Sequence, residues 1–252
     1  MKKQFNSLFA LVLLLIIIIM CSCSKDDNTA TPVLSNTNLK VSPINNHILF
    51  EPFPSVAIGS QVWATKNLTV STYRDGTPIP QVANSSQWQL LTTGAWCYYN
   101  NLTANGITYG KLYNWYAVAG IYDVASLADP ALRKNLAPTG WHIPTDAEWS
   151  TLTSTLGGSA VAGGKMKETG TLHWDSPNTN ATNSSGFTGF PGGARYFGGT
   201  FGDYFGSTAG WWSSTEKTAD VAWNLKLVND DGKTYRNEDA KGMGWNVRCI
   251  KN

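Results

Sequence analysis

Apolar and polar positions alternate between two periods along the chain, and the change of period marks the elements. Val56 to Trp63 is an apolar run broken by Gly59 and partly alternating, which predicts an early pair of strands. Ala95 to Tyr99 is a further strand candidate, rich in aromatics. Leu112, Trp115, Tyr116 and Ala119 follow the i, i+3, i+4, i+7 spacing of a short amphipathic helix that stops at Gly120. Thr145 to Glu148 reads as a capping box, with Pro144 before it. Trp149, Leu152 and Leu156 form the buried face of the helix that follows, and Gly157 and Gly158 end it. The capping role accounts for Asp146 and Glu148, so they are not taken as a catalytic carboxylate pair. Residues 186–210 are dense in glycine and aromatics, a span long for a loop. Strand candidates then follow at Trp211 to Thr215, Val221 to Val228 and Trp245 to Ile250. A turn at Asn229 to Gly232 leads into a short strand at Lys233 to Arg236.

The N-terminus has a different pattern. Lys2 and Lys3 precede an unbroken apolar run from Leu8 to Met20, and polar residues begin at Ser24. This describes a secretory signal peptide over residues 1–22. The run is shorter than the about 20 apolar residues that a membrane span needs. It resembles a bacterial lipoprotein signal, in which a small residue precedes the modified cysteine. Ser22 suits that role for Cys23, and Met20 does not for Cys21. The resemblance implies acyl chains on Cys23, and two or more chains give stable membrane anchoring. Ser24, Lys25, Asp26 and Asp27 resemble the tag that sends lipoproteins of the Bacteroidetes group to the outer face of the outer membrane. Residues 23–55, polar and punctuated by Pro32, Pro43, Pro52 and Pro54, read as a tether.

Composition narrows the partners. Once Lys2 and Lys3 are removed with the leader, basic and acidic side chains are equal in number at 17 each. No basic stripe is present, which argues against a nucleic-acid partner. Residues 56–252 make one domain, and all 11 tryptophans lie in it. Cys97 and Cys249 remain after Cys21 and Cys23. They are either a disulfide, which in the chain-entropy model contributes about 5 kcal/mol, or two buried thiols. His47, His142 and His173 are scattered, and neither GxSxG nor HExxH occurs.

Several motifs resemble the Fibrobacter succinogenes major paralogous domain family: Ile58 to Leu68, Tyr109 to Trp115, Pro138 to Trp149, Gly164 to Gly170, Trp211 to Glu216 and Val247 to Lys251. Members are secreted or surface lipoproteins. Trp141 to Trp149 and Gly244 to Cys249 are similar, more distantly, to stretches of formylglycine-generating enzymes. That likeness implies an α+β, C-type-lectin-like fold: small twisted antiparallel sheets, about two short helices and long glycine- and aromatic-rich loops. The enzyme chemistry does not follow, because those enzymes use a cysteine pair in the active cleft and Cys249 falls in the terminal strand.

Three functional readings follow. The first is a non-enzymatic surface module for carbohydrate or protein ligands, with Tyr196, Phe197, Asp203, Tyr204 and Phe205 as loop contacts. Asn229, Asp230 and Asp231 carry the hard oxygens calcium prefers, although a plain polar turn accounts for them as well. The second is a structural or assembly component of a surface complex. The third is an enzyme, for which no catalytic constellation is found.

Overall fold

A computed structural model describes residues 53–252. Cys23, Ser24 to Asp27 and His47 lie outside the described residues. Within them, no helix is long and apolar enough to cross a membrane.

The order of elements is β1 (Ser55–Ile58), β2 (Gln61–Ala64), α1 (Ser85–Gln89), β3 (Trp96–Cys97), α2 (Thr103–Tyr109), β4 (Leu112–Tyr113), α3 (Trp115–Val118) and α4 (Val124–Ala128). Then come β5 (Trp141–His142), α5 (Asp146–Thr155), α6 (Ser159–Met166), β6 (Thr208–Glu216), β7 (Val221–Val228), β8 (Tyr235–Ala240) and β9 (Ile250–Lys251). The fold is α+β with small antiparallel sheets. It carries more helices than the two expected, most of them a turn or two long.

Three sheets form: β1-β2-β9-β5, β3-β4 and β6-β7-β8. The first joins the two ends of the domain, because Trp63 and His142 both pair with Ile250. The expected hairpin at Val56 to Trp63 is β1 and β2, with Val56 opposite Trp63. The predicted helix from Leu112 starts later. Leu112 pairs with Cys97 in β4, and the Asn114 side chain caps α3 by accepting from the Ala117 amide. Of the strand expected over Trp245 to Ile250, only Ile250 is in a regular strand; Trp245 and Asn246 make single bridges to Tyr113 and Trp211.

The faces of β6 and β7 divide the core. Trp212 and Ala222 face one cluster with Tyr113, Trp115, Trp141 and Trp245. Trp211, Leu225 and Leu227 face a second with Trp63, Trp149, Leu152 and Met166. Trp88, Cys97, Tyr99 and Leu112 make a third. Residues on alternate positions of a strand point to opposite faces, so each strand feeds two clusters. Phe53 joins this body edge-on to Trp141, with ring centroids 5.4 Å apart.

Cys97 and Cys249 are free, buried thiols in different clusters. This corrects the disulfide alternative: each cysteine packs as a small apolar side chain. Burial pushes both thiols up to about 12.

Candidate functional site

The glycine-rich segment leads into β6 and is held in place from below by Arg195. Its guanidinium is fully buried and donates to the carbonyls of Val82, Ala83 and Gly199. It also lies over Trp88, 4.4 Å from the ring centroid. A buried charge needs such partners, and here main-chain oxygens supply all of them.

That frame splits the five aromatic and acidic residues named from the sequence. Phe205 turns inward and stacks on Tyr99, centroids 4.5 Å apart at 18°. Its ring is engaged in packing, and it does not line the cleft. Phe197 is 59% exposed and Asp203 sits at an exposed turn; neither lines the cleft. Tyr204 lies along Trp245, centroids 6.0 Å apart at 28°, and the Tyr196 ring is 5.6 Å from that of Tyr204. The hydrogen bond between the Tyr196 and Tyr204 hydroxyls, together with burial, raises the Tyr204 pKa.

Tyr204 opens onto a cleft of about 360 Å³ whose other walls are Thr208, Lys226, Val228, Asp230, Tyr235, Asn237 and Trp245. The size falls within the range of about 300–1,000 Å³ usual for small-ligand sites. The register explains why these residues meet. Lys226 pairs with Tyr235 and Asn224 with Asn237, so one face of β7 and β8 carries all four. Trp245 lies flat against Gly210 of β6, where a Cβ would come within 2.3 Å of the ring.

Asp239 organises the floor. One carboxylate oxygen accepts from Trp245 Nε1, Asn224 Nδ2 and Lys226 Nζ, each at 2.8 Å. The indole and the lysine are thereby fixed before any ligand arrives. The side chains of Asn237 and Asp230, by contrast, make no hydrogen bond or ion pair within the described residues, and both residues are exposed at the mouth.

The turn named for calcium is tied to neighbouring segments. Asn229 donates to the Ser176 carbonyl, and the Asp231 carboxylate accepts from Tyr235 at 2.6 Å and pairs with Lys233 at 3.1 Å. The carbonyl of Asp231 accepts from the ammonium of Lys167 at 2.8 Å, beside the carbonyls of Thr179 and Val228 at 2.9 Å. Lys167 thus puts a cation of the chain's own where oxygen ligands converge. Only Asp230 of the three lines the cleft. Among the described residues no group of three or more His, Cys, Asp or Glu is placed to hold a metal ion.

The two described histidines stand apart. His142 lies between Glu148 and Asn252, at 2.7 Å from each, and His173 faces Glu168 at 2.8 Å. Neither meets a cysteine thiol.

Sequence reasoning found Tyr204 and Asp230 but missed Trp245, Lys226, Tyr235 and Asn237. The signal was present in the alternation of Val221 to Val228 and Lys233 to Arg236, which puts Lys226 and Tyr235 at strand positions of one parity. It did not say which parity faced a cleft.

No curated protein and no solved structure matches the chain. Residues 56–251 match the Fibrobacter succinogenes major domain, over most of the chain's length and over every element that builds the cleft, and the chain belongs to that family.

Proposed function

We propose that this protein is a non-enzymatic, lipid-anchored cell-surface module that binds glycans in the cleft between Tyr204 and β8. The observation that carries the reading is the division of labour in the cleft. Tyr204, Tyr235 and Trp245 give it aromatic walls, Asp239 fixes the floor, and Asn237 and Asp230 remain uncommitted at the mouth. Sugar rings offer apolar C–H faces to aromatics and hydroxyls to amide and carboxylate groups, and a pre-formed site lowers the ordering cost of binding. A lectin-like arrangement of rigid strands presenting long loops suits this role. The leader, Ser22-Cys23 and the tag at Ser24 to Asp27 support anchoring at Cys23 and display outward from the outer membrane. Against catalysis stand the buried thiols and the two described histidines, His142 and His173, each already engaged by a glutamate.

The test is a glycan array followed by calorimetry on the hits, with and without calcium. Selective retention is expected, weakened at least about tenfold in Tyr204→Ala and in Asn237→Ala, a loss of about 1.4 kcal/mol or more. If the folded protein retains no glycan, or if both variants bind as the parent does, the cleft is not a glycan site.

A further inference from the structure

A second cavity lies apart from the cleft. Its volume is about 430 Å³, and it lies between α3, residues 133–137, residues 142–145 and the end of β6. It shares no lining residue with the cleft. Its apolar lining is Trp115, Val118, Leu136, Ala137 and Ile143, all buried. The Trp115 indole N–H is used up on the Ser213 carbonyl, at 2.9 Å, so this surface offers carbon and no donor.

Almost every polar group on the rim is committed. Lys134 is paired with Asp75, and Glu216 with the ammonium of Lys241. His142 is held by Glu148 and Asn252, and the Thr145 hydroxyl by Glu148 at 2.9 Å. The Ser214 hydroxyl reaches the Pro144 carbonyl at 3.3 Å. The exceptions are Asn135, whose exposed side-chain amide has no hydrogen-bond partner within the described residues, and Arg133. Its Nε donates to the Ser126 carbonyl at 3.3 Å, while its two terminal nitrogens have no hydrogen-bond or ion-pair partner within the described residues. The side chain is half-buried, so water only partly replaces the missing partner.

We infer that this cavity binds a ligand carrying a single carboxylate on an apolar body, of the kind presented by the C-terminal residue of a peptide or by an N-acylated apolar amino acid. The guanidinium fork matches a carboxylate with two parallel hydrogen bonds, and this geometry is the one left open at Arg133. The apolar lining takes the body. A dianionic phosphate fits less well, because Glu216 stands on the same rim. A neutral sugar fits less well, because Asn135 is the one uncommitted amide among the lining residues and the hydroxyls of Thr145 and Ser214 are already engaged. The inference does not depend on the glycan reading of the cleft.

The experiment is calorimetric titration of the full chain with N-acetyl-leucine and with N-acetyl-leucinamide, which differ only in the charged group. The tripeptide Gly-Gly-Leu and its amide form a second pair. Both acids, or the tripeptide acid alone, should bind at least about tenfold more tightly than the matching amide. Binding of the tripeptide acid alone assigns a peptide terminus; binding of both acids assigns the carboxylate and apolar body that they share. Arg133→Gln should erase the difference between acid and amide, and Arg133→Lys, which keeps charge but loses the fork, should restore only part of it. Circular dichroism on each variant separates lost binding from lost folding. Equal binding of acid and amide, binding of neither, or an undiminished acid preference in folded Arg133→Gln overturns the inference.

Discussion

Lys111 is a lysine with 5% of its surface exposed and no carboxylate partner within the described residues. Its ammonium lies 3.5 Å from the centroid of the Trp96 ring, whose π face offsets part of the lost hydration. Burial still lowers its pKa to about 8, against about 10.4 for an unfolded lysine. Burial lowers Lys167 to about 8 as well. Between those values the unfolded chain holds more protons than the folded one, so stability rises with pH from about 8 towards about 10.4. The thiols act in the opposite sense. Their folded pKa of about 12 exceeds the ordinary 9.0, so the unfolded chain loses protons first and stability falls above pH 9. Lys111→Met keeps the length of the side chain and sacrifices no hydrogen bond. Its stability relative to the parent should be more favourable at pH 7 than at pH 9.5, read from urea midpoints at a series of pH values. A difference that stays constant across that range would show that the folded state does not perturb Lys111.

At the scale of elements, α5 shows what local sequence can specify. Thr145 Oγ1 accepts from the Glu148 amide at 3.2 Å, and the Glu148 carboxylate accepts from the Thr145 amide at 2.7 Å. All of that information lies within four consecutive residues, which is why the helix was legible. Thr145→Ala should cost about 1 kcal/mol of unfolding free energy. Thr151→Ala, exposed on the same helix, should stay within about 0.5 kcal/mol. Equal losses in a denaturant titration would mean that the cap does not carry the effect. Elsewhere the deciding partner is remote. Leu112 satisfies a helical spacing, yet it is drawn into β4 by Cys97. The α6 segment holds Gly163 and Gly164, which the sequence reads as helix-weakening. Gly163 instead lets α6 approach the Lys233 carbonyl, where a Cβ would come within 2.0 Å. The cleft was half-legible for the same reason. Loop residues such as Tyr204 announce themselves by composition, whereas Lys226, Tyr235 and Asn237 acquire meaning only once strand register puts them on one face.

At the scale of the molecule, two buried arginines tie distant segments together where no disulfide does. Arg248 donates to the carbonyls of Ala64 and Phe187 and to the Asn67 side chain, joining the β1-β2 hairpin to the start of the glycine-rich segment. Arg195 joins that segment to residues 82–83. Each is fully buried and has no carboxylate partner among the described residues, so each depends on main-chain oxygens that would be left unpaired by its loss. Arg195→Met keeps apolar bulk over Trp88 and strands the carbonyls of Val82, Ala83 and Gly199. The expected cost is on the order of 3 kcal/mol. Because the ladders of β6, β7 and β8 do not pass through Arg195, the loss should be uneven. Hydrogen exchange should accelerate in residues 82–85 and 196–205 while the amides of β7 keep their protection. Uniform acceleration across the domain would mean that the glycine-rich segment is held by the whole core. Unchanged exchange at residues 196–205 would mean that its aromatic packing, Phe205 on Tyr99 above all, is enough to hold it without the arginine.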